Sequence, residues 1–64
     1  TWMFYQDVPF ILLRNRAYWL RESGFLCSTR FDTINGVVPD WGDFSLAEEN
    51  ATKGEIEQIR ARLA

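Results

Sequence analysis

Histidine is missing from this 64-residue chain, cysteine occurs once, proline twice, and the four glycines stand apart from one another. Without histidine no unperturbed side chain titrates near neutrality, and neither a Ser-His nor a Cys-His nucleophile pair can form. A lone cysteine, Cys27, makes no internal disulfide and no structural zinc site. Isolated glycines supply neither a Walker-type phosphate loop nor a dinucleotide-binding fingerprint. The apolar run Val8 to Leu13 is far shorter than the ~20 residues that span a bilayer, and Arg14 follows it, so no membrane span is expected. No basic leader precedes an apolar run, which argues against a secretory signal. With a free thiol, the expected setting is cytoplasmic.

Against these absences stands a surplus of aromatic residues: three Trp, two Tyr and five Phe. A chain of this length is one small domain, residues 1–64, and buries only about 60% of the surface its unfolded chain exposes. With disulfide and zinc staples excluded, dense apolar packing or a partner must compensate. Large aromatics fill a small core economically, and those left at the surface are typical anchors of protein interfaces.

The formal net charge of −2 is unevenly distributed. Residues 1–31 carry Arg14, Arg16, Arg21 and Arg30 against Asp7 and Glu22. Residues 32–64 carry seven acids against Lys53, Arg60 and Arg62, and between Asp32 and Glu49 there is no base. A chain so polarised can meet a charged partner or a second copy of itself, so a homodimer is one expectation.

Punctuation and periodicity predict an α+β fold: an N-terminal strand, a central helix, a β-hairpin, and one or two C-terminal helices. Thr1 to Gln6 reads as a strand rich in β-formers, with Trp2 and Phe4 on one face and Met3 and Tyr5 on the other. Asp7 before the first apolar residue, Pro9 in the first turn and Gly24 past the end predict a helix from Val8 to about Ser23. On that helix Phe10, Leu13, Ala17 and Leu20 form the core stripe, and Ile11 with Tyr18 forms a second, smaller apolar surface. Phe25 to Ile34 reads as a strand leading into a hairpin at Asn35-Gly36, with Val37-Val38 returning and Pro39 ending it. A competing pattern makes Ser28 an N-cap, Thr29 to Asn35 a short helix and Gly36 its stop. Ser45-Leu-Ala-Glu48 and Thr52-Lys-Gly-Glu55 both read as capping boxes, the first opening a single turn and the second a helix from Lys53 to about Leu63.

Few residues are equipped for chemistry. Asp40 and Asp43, with Asp32, Glu48 and Glu49, match no calcium-loop spacing and read as solvated turn carboxylates. Cys27 follows two apolar residues and reads as a buried small hydrophobe. Asn50-Ala-Thr52 matches a glycosylation acceptor pattern, but Thr52 is better explained as a helix cap. No metal, cofactor or catalytic residue is expected, and the chain reads as a non-enzyme. The leading expectation is a small protein–protein interaction module: an inhibitor, an adaptor or an accessory subunit of a larger assembly. Arg14, Tyr18, Trp19, Arg21 and Trp41 are the expected partner-binding residues, since aromatic and arginine side chains anchor interfaces. The alternative is a nucleic-acid-binding regulator using the arginines of the central helix. Two arginines one heptad apart make a weak phosphate patch, and the acidic balance of the chain opposes it.

Overall fold

Two tight turns that contain no glycine decide the architecture. Gln6 and Asp7 have φ of 52° and 65°, and Arg14 and Asn15 have φ of 48° and 60°. Positive φ at both central positions is the mark of a type I′ reversal, whose twist matches the strands it joins. The computed structural model, which describes residues 3–63, therefore has hairpins where the periodicity predicts a helix. Strands β1 (Met3–Tyr5), β2 (Val8–Leu13), β3 (Arg16–Leu20), β4 (Leu26–Arg30) and β5 (Ser45–Leu46) form one antiparallel sheet in sequential order. A single 3-10 turn (Ala47–Glu49) and one helix, α1 (Lys53–Leu63), complete the chain. Thr1 and Trp2, where the expected first strand begins, lie outside the described residues.

The expected central helix from Val8 to Ser23 is thus replaced by β2, the Arg14-Asn15 turn and β3, paired as Ile11↔Tyr18, Leu12↔Ala17 and Leu13↔Arg16. Its stripe at helical spacing arises because nearly every residue from Val8 to Leu13 is apolar, so apolar side chains recur at any period. A continuous apolar run of this length also describes a strand with apolar contacts on both faces: here Phe10 is buried on one and Ile11 and Leu13 are half-buried under α1 on the other, while Pro9 and Leu12 are exposed. Pro9 does not open a helix. It lies opposite Phe4 of β1, and without an N–H it cannot carry the ladder to β3 beyond Ile11↔Tyr18.

The Asn35-Gly36 hairpin is corrected as well. Thr33 to Gly36 form a four-residue reversal closed by one bridge, Asp32↔Val37, and no returning strand follows. Only Gly36 has positive φ, whereas the expected two-residue turn needs it at Asn35 too. The loop is held by the buried Asp32 carboxylate, which accepts from the backbone N–H groups of Ile34 and Asn35 and from the Asn35 amide. The first expected capping box is displaced by one residue: the Glu49 carboxylate accepts from the Leu46 N–H, and Ser45 lies in β5. The second has the expected geometry. Thr52 Oγ1 accepts from the Glu55 N–H at 3.2 Å and Glu55 Oε1 accepts from the Thr52 N–H at 2.9 Å, at the head of the one α-helix of the described residues.

Because side chains alternate across a strand, the sheet has two apolar faces and each has its own cover. Under α1, Tyr18 and Leu26 pack with Ala47, Ile56 and Ile59, flanked by Ile11, Leu13, Leu20, Ala51 and Leu63. On the opposite face Phe10, Ala17, Trp19 and Cys27 are covered by Phe31, Trp41 and Phe44 from the long segment between β4 and β5. The Trp19 and Trp41 rings meet edge-on with centroids 4.5 Å apart, and Phe10 touches both Phe31 and Trp41. Trp41 Nε1 donates to the Tyr5 carbonyl at 3.2 Å, and Thr29 Oγ1 donates to the Asp43 carbonyl at 2.8 Å. These two bonds pin the segment to the sheet at β1 and at β4.

The turn assignment has a sign that can be measured. Asn15→Gly relieves a left-handed position and should stabilise the chain by about 0.5 kcal/mol, read as a higher urea midpoint. A continuous helix over residues 8–23 would instead be destabilised by the same change, by about 0.3 kcal/mol, because glycine is a poorer helix former than asparagine.

Candidate functional site

The five residues expected to bind a partner divide between the two faces of the sheet, because the true period is 2 and not 3.6. Tyr18, 1% exposed, is core under α1, and its hydroxyl donates to the Asn50 carbonyl at 3.3 Å. Burial pushes the Tyr18 phenol above its usual range, opposed by the positive charges of Arg16 and Arg14. Arg14 lies in the turn beside the same cover. Its guanidinium is bidentate to Glu55, with Nη1 and Nη2 at 2.5 and 2.9 Å from the two carboxylate oxygens. The apolar back surface expected from Ile11 and Tyr18 is therefore the seat of α1, and Arg21 is not on it.

Trp19, Arg21 and Trp41 do come together, on the opposite face. Trp19 is 6% exposed and packs on Trp41 and Phe44, while the Arg21 guanidinium lies 4.3 Å from the Phe44 ring centroid. That distance is a cation–π contact, and it leaves the hydrogen-bonding edge of the guanidinium available. Beside Arg21 opens a groove at the end of the sheet, between the Gln6-Asp7 turn and the loop from Arg21 to Phe25. Val8, Pro9, Trp19, Leu20 and Phe25 give it an apolar lining, and Asp7, Arg21 and Glu22 place charges of both signs around it.

The loop that forms one wall is braced at several points. The Arg21 N–H donates to the Phe25 carbonyl at 3.0 Å, and the Gly24 N–H donates to the Arg21 carbonyl at 2.8 Å. Gly24 has φ of 89°, a conformation that side-chain-bearing residues rarely hold. From α1, Arg60 Nη1 donates to the Gly24 carbonyl at 3.0 Å. The groove wall is thus tied to the helix on the far side of the sheet.

Phe25 and Pro9 belong to this groove and were not expected there. The signal that could have found Phe25 is its alternation: Phe25, Cys27 and Thr29 share one face of the strand, and Leu26 and Ser28 the other. Cys27 is buried, and burial pushes its thiol above the usual range, with Arg21 acting in the opposite sense. A thiol so placed is a poor nucleophile. Among the described residues no three of the His, Cys, Asp and Glu side chains gather as metal ligands, and no helix is long and apolar enough to cross a membrane. Comparison with protein-family models, with curated proteins and with solved structures gives no match.

Electrostatics tie the Arg14-Asn15 turn to α1. The bidentate bond from Arg14, followed by the Thr52 N–H, lowers the Glu55 carboxyl from 4.5 to about 2. A carboxyl whose folded value is depressed adds stability that is complete above pH 4.5 and fades as the pH falls toward 2. Glu55→Gln should therefore flatten the fall of the urea midpoint across that window relative to the parent chain. An equally steep acid limb in the variant would show that the pair contributes nothing.

Proposed function

We propose that the chain is a small non-enzymatic protein-interaction module, an inhibitor, adaptor or accessory subunit, whose partner inserts an apolar side chain into the groove beside Arg21. The observation that carries this reading is Phe25, which is 58% exposed at the groove, whereas Phe10, Tyr18 and Trp19 are buried and Phe31, Trp41 and Phe44 half-buried; Phe4, also exposed, lies on β1 away from the groove lining. A large ring left in water beside an apolar recess, with a cation and two acids around it, has the make-up of an interface anchor. Trp19 and Trp41 act from beneath, as the rigid floor that fixes Phe44 and Arg21. The partner contacts Arg21 and Phe25, while Arg14 and Tyr18 hold the fold.

The distribution of arginines favours a protein partner over nucleic acid. Arg14 is neutralised by Glu55, and Arg16 is bonded to Ser28 and Ser45 within the fold. By strand alternation Arg21 and Arg30 lie on opposite faces. Among the described residues no continuous basic stripe runs along either face to track a phosphate backbone.

The double variant Arg21→Ser/Phe25→Ser tests the reading. Its stability in urea should stay within about 1 kcal/mol of the parent, since both side chains are exposed and the Arg21–Phe44 contact lies at the surface. Affinity capture from the native host with both forms as bait should show a protein bound by the parent and weakened at least tenfold in the variant. A set of bound proteins identical for both baits would refute the groove as the docking site. The mass in solution, measured with both forms, separates the case in which the partner is a second copy of the chain.

A further inference from the structure

We propose that Arg16 and Arg30 form an oxyanion-binding site, distinct from the groove, that accepts a phosphate or carboxylate group. The two arginines are directly opposite each other in the pairing of β3 with β4, on the face that carries α1. Side chains so placed have Cβ atoms about 5 Å apart, and like charges at that separation repel. Neither arginine forms a salt bridge: among the described residues the single ion pair is Arg14 with Glu55, and Arg30 acts on Asp32 only as the smallest of the influences that lower that carboxyl.

Arg16 is held in place without being neutralised. Its Nε donates to Ser28 Oγ at 3.0 Å, and its Nη2 donates to Ser45 Oγ at 3.2 Å and to the Ser28 carbonyl at 3.3 Å. Asn50 Nδ2 lies 3.2 and 3.3 Å from the same two hydroxyl oxygens and helps to fix them. All of these acceptors are neutral. The Nη1 group of Arg16, and the whole guanidinium of the exposed Arg30, have no acceptor among the described residues. The acid nearest in sequence on this face is Asp32, whose carboxylate accepts hydrogen bonds from Asn35 and Ile34 and takes none from Arg30; the Asn35 amide is the main cause of its lowered pKa and the Arg30 charge the least.

A half-buried guanidinium fixed by neutral groups, with a second, exposed arginine at the opposite strand position, meets its orienting cost before any ligand arrives. Arginine pairs bind oxyanions by charge-assisted, frequently bidentate hydrogen bonds, and an anion between the two guanidiniums turns their repulsion into attraction. The site accepts one such group, not a polymer, because the neighbouring Arg14 is already committed to Glu55.

The test is titration of the full chain with sodium phosphate, and separately with sodium acetate, each matched in ionic strength by sodium chloride. Side-chain Nε–Hε signals of the arginines are followed by NMR. The expected result is saturable movement of the Arg16 and Arg30 signals, with those of Arg21 and Arg62 following the chloride control. Saturation with phosphate alone assigns the site to a phosphate group, and comparable saturation with acetate assigns it to a carboxylate. Arg30→Gln, an exposed change that removes the repulsion and should not lower the thermal midpoint, should weaken binding at least tenfold, while Arg21→Gln leaves it unchanged. As a second readout, the midpoint of the parent should rise in phosphate over matched chloride, and this rise should vanish in Arg30→Gln. Signals that drift together in every salt, or undiminished saturation in Arg30→Gln, would overturn the proposal.

Discussion

A β-sheet that is apolar on both faces must be covered twice, and a chain of 64 residues has little left for covers once five strands are made. That constraint organises this protein. One cover is α1, which seats Ile56 and Ile59 over Tyr18 and Leu26. The other has no regular secondary structure beyond a single bridge: it is the segment after β4, which brings Phe31, Trp41 and Phe44 over Phe10, Trp19 and Cys27. Aromatic rings suit this second task because each removes a large area from water with few torsions to order. Fully burying one large apolar side chain contributes about 1.5–3 kcal/mol, so losing either cover would remove much of the stability of a small domain.

The covers are fastened by polar groups drawn from the turns and loops. Arg14 adopts an unfavourable left-handed conformation, and in that position its guanidinium reaches Glu55, which is also half of the capping box of α1. One carboxylate thus terminates the helix correctly and locks it to the hairpin beneath. On the other face the Trp41 indole N–H and the Thr29 hydroxyl serve the same purpose toward β1 and the Asp43 carbonyl. With both covers fixed, apolar surface remains open at separate side chains such as Phe4, Ile34 and Val38 and in the groove lined by Val8, Pro9 and Phe25 at one end of the sheet.

How much of this was legible in the sequence depended on whether the signal was local. The helix from Lys53 to Leu63 was readable because its cap is spelled out within four residues, Thr52 to Glu55, and its charges follow the dipole. The core membership of Phe10 and Ala17 was legible from hydrophobicity alone, whereas Tyr18, expected at the partner surface, is core under α1. The hairpins were hidden because Gln6-Asp7 and Arg14-Asn15 carry no glycine, whereas Asn35-Gly36, the strongest turn dipeptide in the chain, closes a longer loop. Asp7, Pro9 and Gly24 imitate helix punctuation at positions where they serve a turn, a strand next to β1 and a loop. With the period wrong, Tyr18 and Arg21 were placed on one surface, and the sheet puts them on two. Only Trp19, Arg21 and Trp41 stayed together, since all three answer to the aromatic cover.

The functional reading depends on that geometry, because the groove exists only if residues 8–20 form two strands with a cover on each side. Nuclear Overhauser contacts in the uniformly labelled chain test this most directly. The account predicts a strong Hα–Hα contact between Leu12 and Ala17, together with ring contacts from Trp41 to Trp19 and from Ile59 to Tyr18. Strong sequential amide–amide contacts running from Phe10 to Ser23, without those long-range ones, would contradict it.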